Sequence, residues 1–173
     1  MRSSARAVRQ KAQKIKLLLL DVDGVLTDGG IYIDNRGVES KRFDVRDGQG
    51  IVLLQRFGIE VGFITSRSSK IVSQRAKELG VRIVRQGVHD KLQIYEDIKR
   101  SSRLQDGQIA YIGDDIVDMP ILAKVGLAVS VRDCWPGVKK LVSYVTRVAA
   151  GHGAVREVAD LLLRSQKHLQ NTI

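Results

Sequence analysis

The chain has 173 residues, 43% of them hydrophobic, enough for one domain with a substantial core. No apolar run approaches the ~20 residues of a membrane-spanning helix, and the single cysteine, Cys134, excludes an intrachain disulfide and fits a reducing, cytoplasmic setting. The net charge of +10 is uneven: Arg2, Arg6, Arg9, Lys11, Lys14 and Lys16 crowd the N-terminal end, with no acid among them.

Residues 1–14 are therefore expected to be a basic, solvated tail ahead of a single domain over 15–173. The alternatives for this leader are binding to nucleic acid or an anionic surface, and an Arg- and Ser-rich transit peptide. It lacks the apolar core of a secretory signal. Neither a membrane nor a nucleic-acid partner is expected for the protein.

Leu17-Leu18-Leu19-Leu20 is apolar on both faces and stops at turn residues, which predicts a buried parallel strand. Ile31 to Ile33 and Glu39 to Phe43 flank the turn Asp34-Asn35-Arg36-Gly37 and predict a β-hairpin projecting from the sheet edge. Such a hairpin is marginal alone, so it should pack on something, another subunit included. Arg46-Asp47-Gly48 leads into a helix that Gly58 ends. Ile59 to Ile64 is the second core strand. Ser68 or Ser69 caps a helix to Leu79, and Val81 to Val84 is the third strand. Asp90 caps a helix opening at Lys91, Ile109 to Ile112 is the fourth strand, and a helix over about 116–124 follows. Short strands at 127–129 and 144–146 and an amphipathic helix over about 154–163 complete the pattern, with a loose polar tail after Arg164. Alternation of strand and helix predicts a three-layer, Rossmann-like parallel α/β sheet.

The chemistry gathers at strand ends. Asp21 and Asp23 follow the first strand, where open α/β sheets place their ligands. A carboxylate can attack phosphorus to form an aspartyl-phosphate, and a second can protonate the leaving oxygen and later accept a proton from water. Anion approaching anion calls for a hard cation such as Mg2+. Thr65 ends the second strand, where its hydroxyl and nearby donors can hold phosphate oxygens. Lys91, at a helix start, can neutralise a phosphoryl group. Asp114, Asp115 and Asp118 repel one another unless a cation sits among them. Singly, each has a bland alternative: a turn, a common strand-end Thr, a surface Lys, acids at a helix N-terminus.

The ordered set Asp21-x-Asp23-Gly24, Thr65, Lys91 and Gly113-Asp114-Asp115-x-x-Asp118 resembles the haloacid dehalogenase-like phosphohydrolases, over nearly the whole chain after the leader. The resemblance implies that Asp21 is the nucleophile and Asp23 the general acid/base, and that Thr65, Ser66 and Lys91 bind the phosphoryl group. It implies that Asp21, the Asp23 carbonyl and Asp114 hold Mg2+, with Asp115 and Asp118 supporting.

The stretches 21–29, 45–51, Thr65-Ser66-Arg67 and Gly153-Ala154-Val155-Arg156-Glu157 are similar to the 3-deoxy-D-manno-octulosonate 8-phosphate phosphatases. That likeness implies an uncapped fold, a homotetramer whose hairpins and C-terminal segments help cover neighbouring sites, and a sugar-acid phosphate substrate from lipopolysaccharide biosynthesis. Spacing agrees, because too few residues separate Asp28 from Thr65, or Thr65 from Lys91, to fold a cap. Arg46, Arg67 and Arg75 are candidates for the sugar acid's carboxylate, which a guanidinium matches bidentately. Ser66 stands where many relatives carry Gly, and His152 where a basic residue is common. Phosphatase action on nine-carbon sialic-type 9-phosphates, and a non-catalytic binding protein on the same fold, are the alternatives. His89, His168 and Cys134 are expected to be structural or solvated.

Overall fold

The computed structural model describes residues 4–168. In chain order the elements are α1 (Ala5–Ala12), β1 (Leu17–Leu20), β2 (Tyr32–Ile33), β3 (Glu39–Ser40), α2 (Val45–Arg56), β4 (Glu60–Ile64) and α3 (Lys70–Glu78). There follow β5 (Ile83–Arg85), α4 (Lys91–Ser101), β6 (Ile109–Ile112), α5 (Met119–Leu122), β7 (Leu127–Ser130), β8 (Tyr144–Val145) and α6 (Ala154–Ser165).

The main sheet is parallel, in the order β5-β4-β1-β6-β7-β8. β1 lies at its centre, and all four of its leucines are fully buried. Each contributes roughly 1.5–3 kcal/mol on leaving water. Helices α2 and α6 pack together on one face with α1 against α6, while α4 and α5 pack together on the other. After β1 the chain runs towards β4, and after β6 it runs towards β7. The order thus reverses between β1 and β6, and the crevice at their carboxyl ends is the place where such a sheet takes a ligand.

β2 and β3 form a separate antiparallel pair, Tyr32 opposite Ser40 and Ile33 opposite Glu39. Ile31, Ile33 and Val38 are exposed on this hairpin. Only the hairpin, α2 and β4 lie between Asp28 and Thr65, and only α3 and β5 between Thr65 and Lys91, so the uncapped three-layer fold is as expected.

The leader differs from its expectation. Residues 5–12 are helical, Ser4 caps them by accepting from Ala7 N–H, and Val8 and Ala12 are buried in the main core. Two apolar residues four apart lie on one helix face, and they suffice to dock it. The Gln166 side-chain amide donates to the carbonyls of Ala12 (3.0 Å) and Ile15 (2.8 Å), tying the two ends of the chain together. His168 stacks on Phe57, so the chain to that point is held rather than loose. Arg2 and the polar tail from 169 onward lie outside the described residues.

Two further boundaries move. The helix expected over 116–124 is a 3-10 turn, Ile116–Asp118, followed by the single α-helical turn of α5. Ser69 occupies the N-cap of α3 without capping it by its side chain, because its hydroxyl is turned to Glu39.

Candidate active site

β1 delivers Asp21 to the crevice with its backbone N–H bonded to the Ile112 carbonyl of β6 (3.0 Å). The Asp21 carboxylate is almost fully buried and accepts from its neighbour's N–H, Val22 (2.7 Å). Lys91, the first residue of α4, is placed by the Asp90 cap, whose carboxylate accepts from Gln93 N–H. Its ammonium lies 2.8 Å from Asp21 Oδ2 and 2.7 Å from Asp118 Oδ1. Burial pulls the Lys91 pKa down, but Asp21 and Asp118 outweigh it, and the net shift is upward.

Asp118 is fully buried. Its Oδ1 also accepts from Tyr111 O–H (2.7 Å), and its Oδ2 accepts from the N–H groups of Asp114 (3.0 Å) and Asp115 (3.2 Å). Both oxygens therefore already serve two donors each. Gly113 makes this possible, since a Cβ there would come within 2.4 Å of the Asp118 Cβ. Asp115 is exposed and turns its carboxylate to the N–H of Ile116.

Ligand oxygens of Asp21, Asp114 and Asp118 come within 4.8 Å of one another. Burial, then the charges of Asp21 and Asp118, push Asp114 up to about 7. Burial pushes Asp21 up to about 6, against the pull of Lys91. Asp114 Oδ1 is buried with no hydrogen-bond partner among the described residues. Crowded, desolvated carboxylates with an orphaned oxygen suit a divalent cation, which would satisfy that oxygen and favour the ionised forms. Gly24 belongs to this cradle: its φ is +89°, and a Cβ would fall 2.2 Å from Asp114 Oδ2.

Asp23, two residues after Asp21, is half-buried. Thr65 is buried at the end of β4, while Ser66 and Arg67 beyond it are exposed. Arg67 Nε is 3.7 Å from Asp23 Oδ2, and Arg67 also pairs with Glu39 (2.6 Å). The other two candidate arginines are engaged elsewhere. Arg46 pairs with Asp44 (2.7 Å) and donates to the His152 carbonyl. Arg75 pairs with Glu78 and lies over the Phe43 ring. Neither pairs with an acid of the crevice.

One residue at the crevice escaped the sequence reading. Lys41, just beyond β3, reaches Asp23 with its ammonium. The available signal was the alternation of Glu39 and Lys41, which a strand turns to one face.

A curated relative, the 3-deoxy-D-manno-octulosonate 8-phosphate phosphatase of Yersinia pestis, is 47% identical over 163 residues, covering 94% of this chain and 87% of that protein. The chain belongs to the 3-deoxy-D-manno-octulosonate 8-phosphate phosphatase family. A second phosphatase of that name, from Escherichia coli (strain B / BL21-DE3), is 48% identical over 162 residues, with 94% and 86% coverage. The crystal structure of the Yersinia pestis phosphatase superposes with a TM-score of 0.94, covering 95% of this chain and 89% of that one. The phosphatase of Moraxella catarrhalis, solved in complex with magnesium ion, phosphate ion and KDO, gives a TM-score of 0.95 at 38% identity, with 97% of each chain covered. No family model matches the chain.

Proposed function

We propose that this protein is a Mg2+-dependent phosphomonoester hydrolase that converts 3-deoxy-D-manno-octulosonate 8-phosphate to the free sugar acid and phosphate, a step of lipopolysaccharide biosynthesis. The observation that carries the reading is the convergence of Asp21, Asp114 and Lys91 at the carboxyl ends of β1 and β6, in a chain of this family. The relatives compared act, by name, on the eight-carbon acid, and this disfavours the nine-carbon alternative.

Asp21 Oδ attacks phosphorus and the bond to the sugar oxygen breaks. Asp23 gives its proton to that oxygen, then takes one from the water that attacks the aspartyl-phosphate, which releases phosphate and restores Asp21. Lys91, Thr65 and Ser66 hold the phosphoryl oxygens. Asp21, the Asp23 carbonyl and Asp114 would hold Mg2+, whose charge offsets the repulsion between carboxylate and phosphate. Asp118, with its acceptor positions already used, braces Lys91 and the turn carrying Asp114. Arg67 is the arginine assigned to the substrate carboxylate, because of the three candidates it alone lies against Asp23 of the crevice, although it also pairs with Glu39.

Exposed Ile31, Ile33, Val38 and Val45 support assembly of several copies, as a tetramer. Among the described residues no helix is long and apolar enough to cross a membrane, and we place the protein in the cytoplasm.

Borohydride reduction of enzyme quenched during turnover tests the mechanism. An acyl phosphate at Asp21 reduces to homoserine, which peptide mass spectrometry reads at that position. Unmodified Asp21 under conditions of rapid turnover contradicts the covalent route.

A further inference from the structure

Lys41 is an unusual residue to bury. Its side chain is only 2% exposed, and its ammonium sits 2.5 Å from Asp23 Oδ1 and 3.5 Å from Glu39 Oε1. Glu39 is fixed in turn by Arg67 (2.6 Å) and by the Ser69 hydroxyl (3.2 Å). A continuous chain of polar contacts thus runs from the start of α3, through the hairpin's return strand, to the second carboxylate of the Asp-x-Asp pair.

The two oxygens of Asp23 are treated differently. Oδ1 takes Lys41 and, at 3.5 Å, the Thr27 hydroxyl. Oδ2 is buried with no hydrogen-bond partner among the described residues, its nearest charged neighbour being Arg67 Nε at 3.7 Å. A carboxylate that must donate and then accept a proton works best when one oxygen is anchored and the other is free and aimed. A long, entropically costly ammonium stem is otherwise a poor way to fasten a short hairpin.

We infer that Lys41 is a positioning residue for Asp23: it occupies Oδ1 and so commits Oδ2 to proton exchange with the substrate oxygen. The inference rests on the reading of Asp23 as general acid/base. It also makes the seating of the hairpin a condition for proton transfer, because Glu39 and Lys41 come from the same strand and its extension.

Lys41→Met and Lys41→Arg, assayed against two leaving groups, test this. The sugar-acid phosphate departs as an alkoxide and needs a proton. An aryl ester such as p-nitrophenyl phosphate departs as a stable phenolate and needs little. Lys41→Met should lower kcat on the sugar-acid phosphate by about 10²-fold with KM little changed, and on the aryl ester far less. Lys41→Arg should recover part of the loss. Adding Lys41→Met to Asp23→Asn should cost nothing further on the sugar ester, because Lys41 acts only through Asp23. Equal losses on both esters, a change in KM alone, or additive effects in the double variant would overturn the inference. If Lys41→Met fails to fold, Glu39→Gln, which loosens Lys41 without removing it, is read by the same leaving-group comparison. Asp23→Asn alone tells the two failures apart. If it shows no dependence on leaving group, the acid/base reading is wrong, and the role of Lys41 falls with it.

Discussion

The Lys91 ammonium and the Asp118 carboxylate meet at 2.7 Å with both side chains out of water. That pair fixes the direction of Lys91, whose ammonium also touches Asp21. Removing Asp118 takes one of the two carboxylates from a buried ammonium and strands Tyr111 O–H and two backbone N–H groups. Asp118→Ala should therefore cost about 3–5 kcal/mol of stability. Urea denaturation at neutral pH measures it; a loss under about 1 kcal/mol, the worth of an exposed pair, would refute the brace.

Asp47 gives a pH signature away from the crevice. It is buried in α2 and accepts from the N–H groups of Gly153 (3.2 Å) and Arg156 (2.8 Å) at the start of α6. Burial pushes its pKa from 3.8 up to about 6. A carboxyl with a raised folded-state pKa binds its proton more tightly when folded, so its stabilising contribution is full below the unfolded value and lost as pH rises through the folded one. The stability of the wild type relative to Asp47→Asn should fall by roughly 1–3 kcal/mol between about pH 4 and pH 6 and be level outside that window. A difference that grows with pH would contradict this assignment.

The docked leader predicts a stability effect without a catalytic one. Removing residues 1–14 exposes the surface that Val8 and Ala12 cover and frees Gln166 from Ala12. The loss should be on the order of 2–4 kcal/mol, read as a lower melting temperature. KM for the sugar-acid phosphate should stay within a factor of two. An unchanged melting temperature would return the leader to a solvated tail.

How far the sequence could be read follows from what each segment buries. β1 and β6 are continuous apolar runs with turn residues at their ends, and both match their expected limits. Asp21, Lys91 and Asp114 were legible because each follows such a strand or opens a helix. α1 was not, because its buried face is two small residues among many charges. The return strand was expected to reach Phe43 but ends at Ser40. Beyond it the chain turns so that Asp44 can cap α2 by accepting from Arg46 N–H (2.8 Å). Lys41 lies just past β3, and although its alternation with Glu39 puts the two on one face, its meeting with Asp23 depends on where the hairpin folds back. Arg46, Arg67 and Arg75 were chosen by residue type alone, and each forms an ion pair, with Asp44, Glu39 and Glu78 in turn.

The most direct test of the account is phosphate release from 3-deoxy-D-manno-octulosonate 8-phosphate, with and without Mg2+, beside sialic-type 9-phosphates, hexose phosphates and nucleotides, with Asp21→Asn in parallel. The account predicts strong preference for the eight-carbon ester, dependence on Mg2+, and a fall on the order of 10⁴-fold or more in Asp21→Asn. Equal turnover across the panel, or an Asp21→Asn enzyme that retains activity, would contradict it.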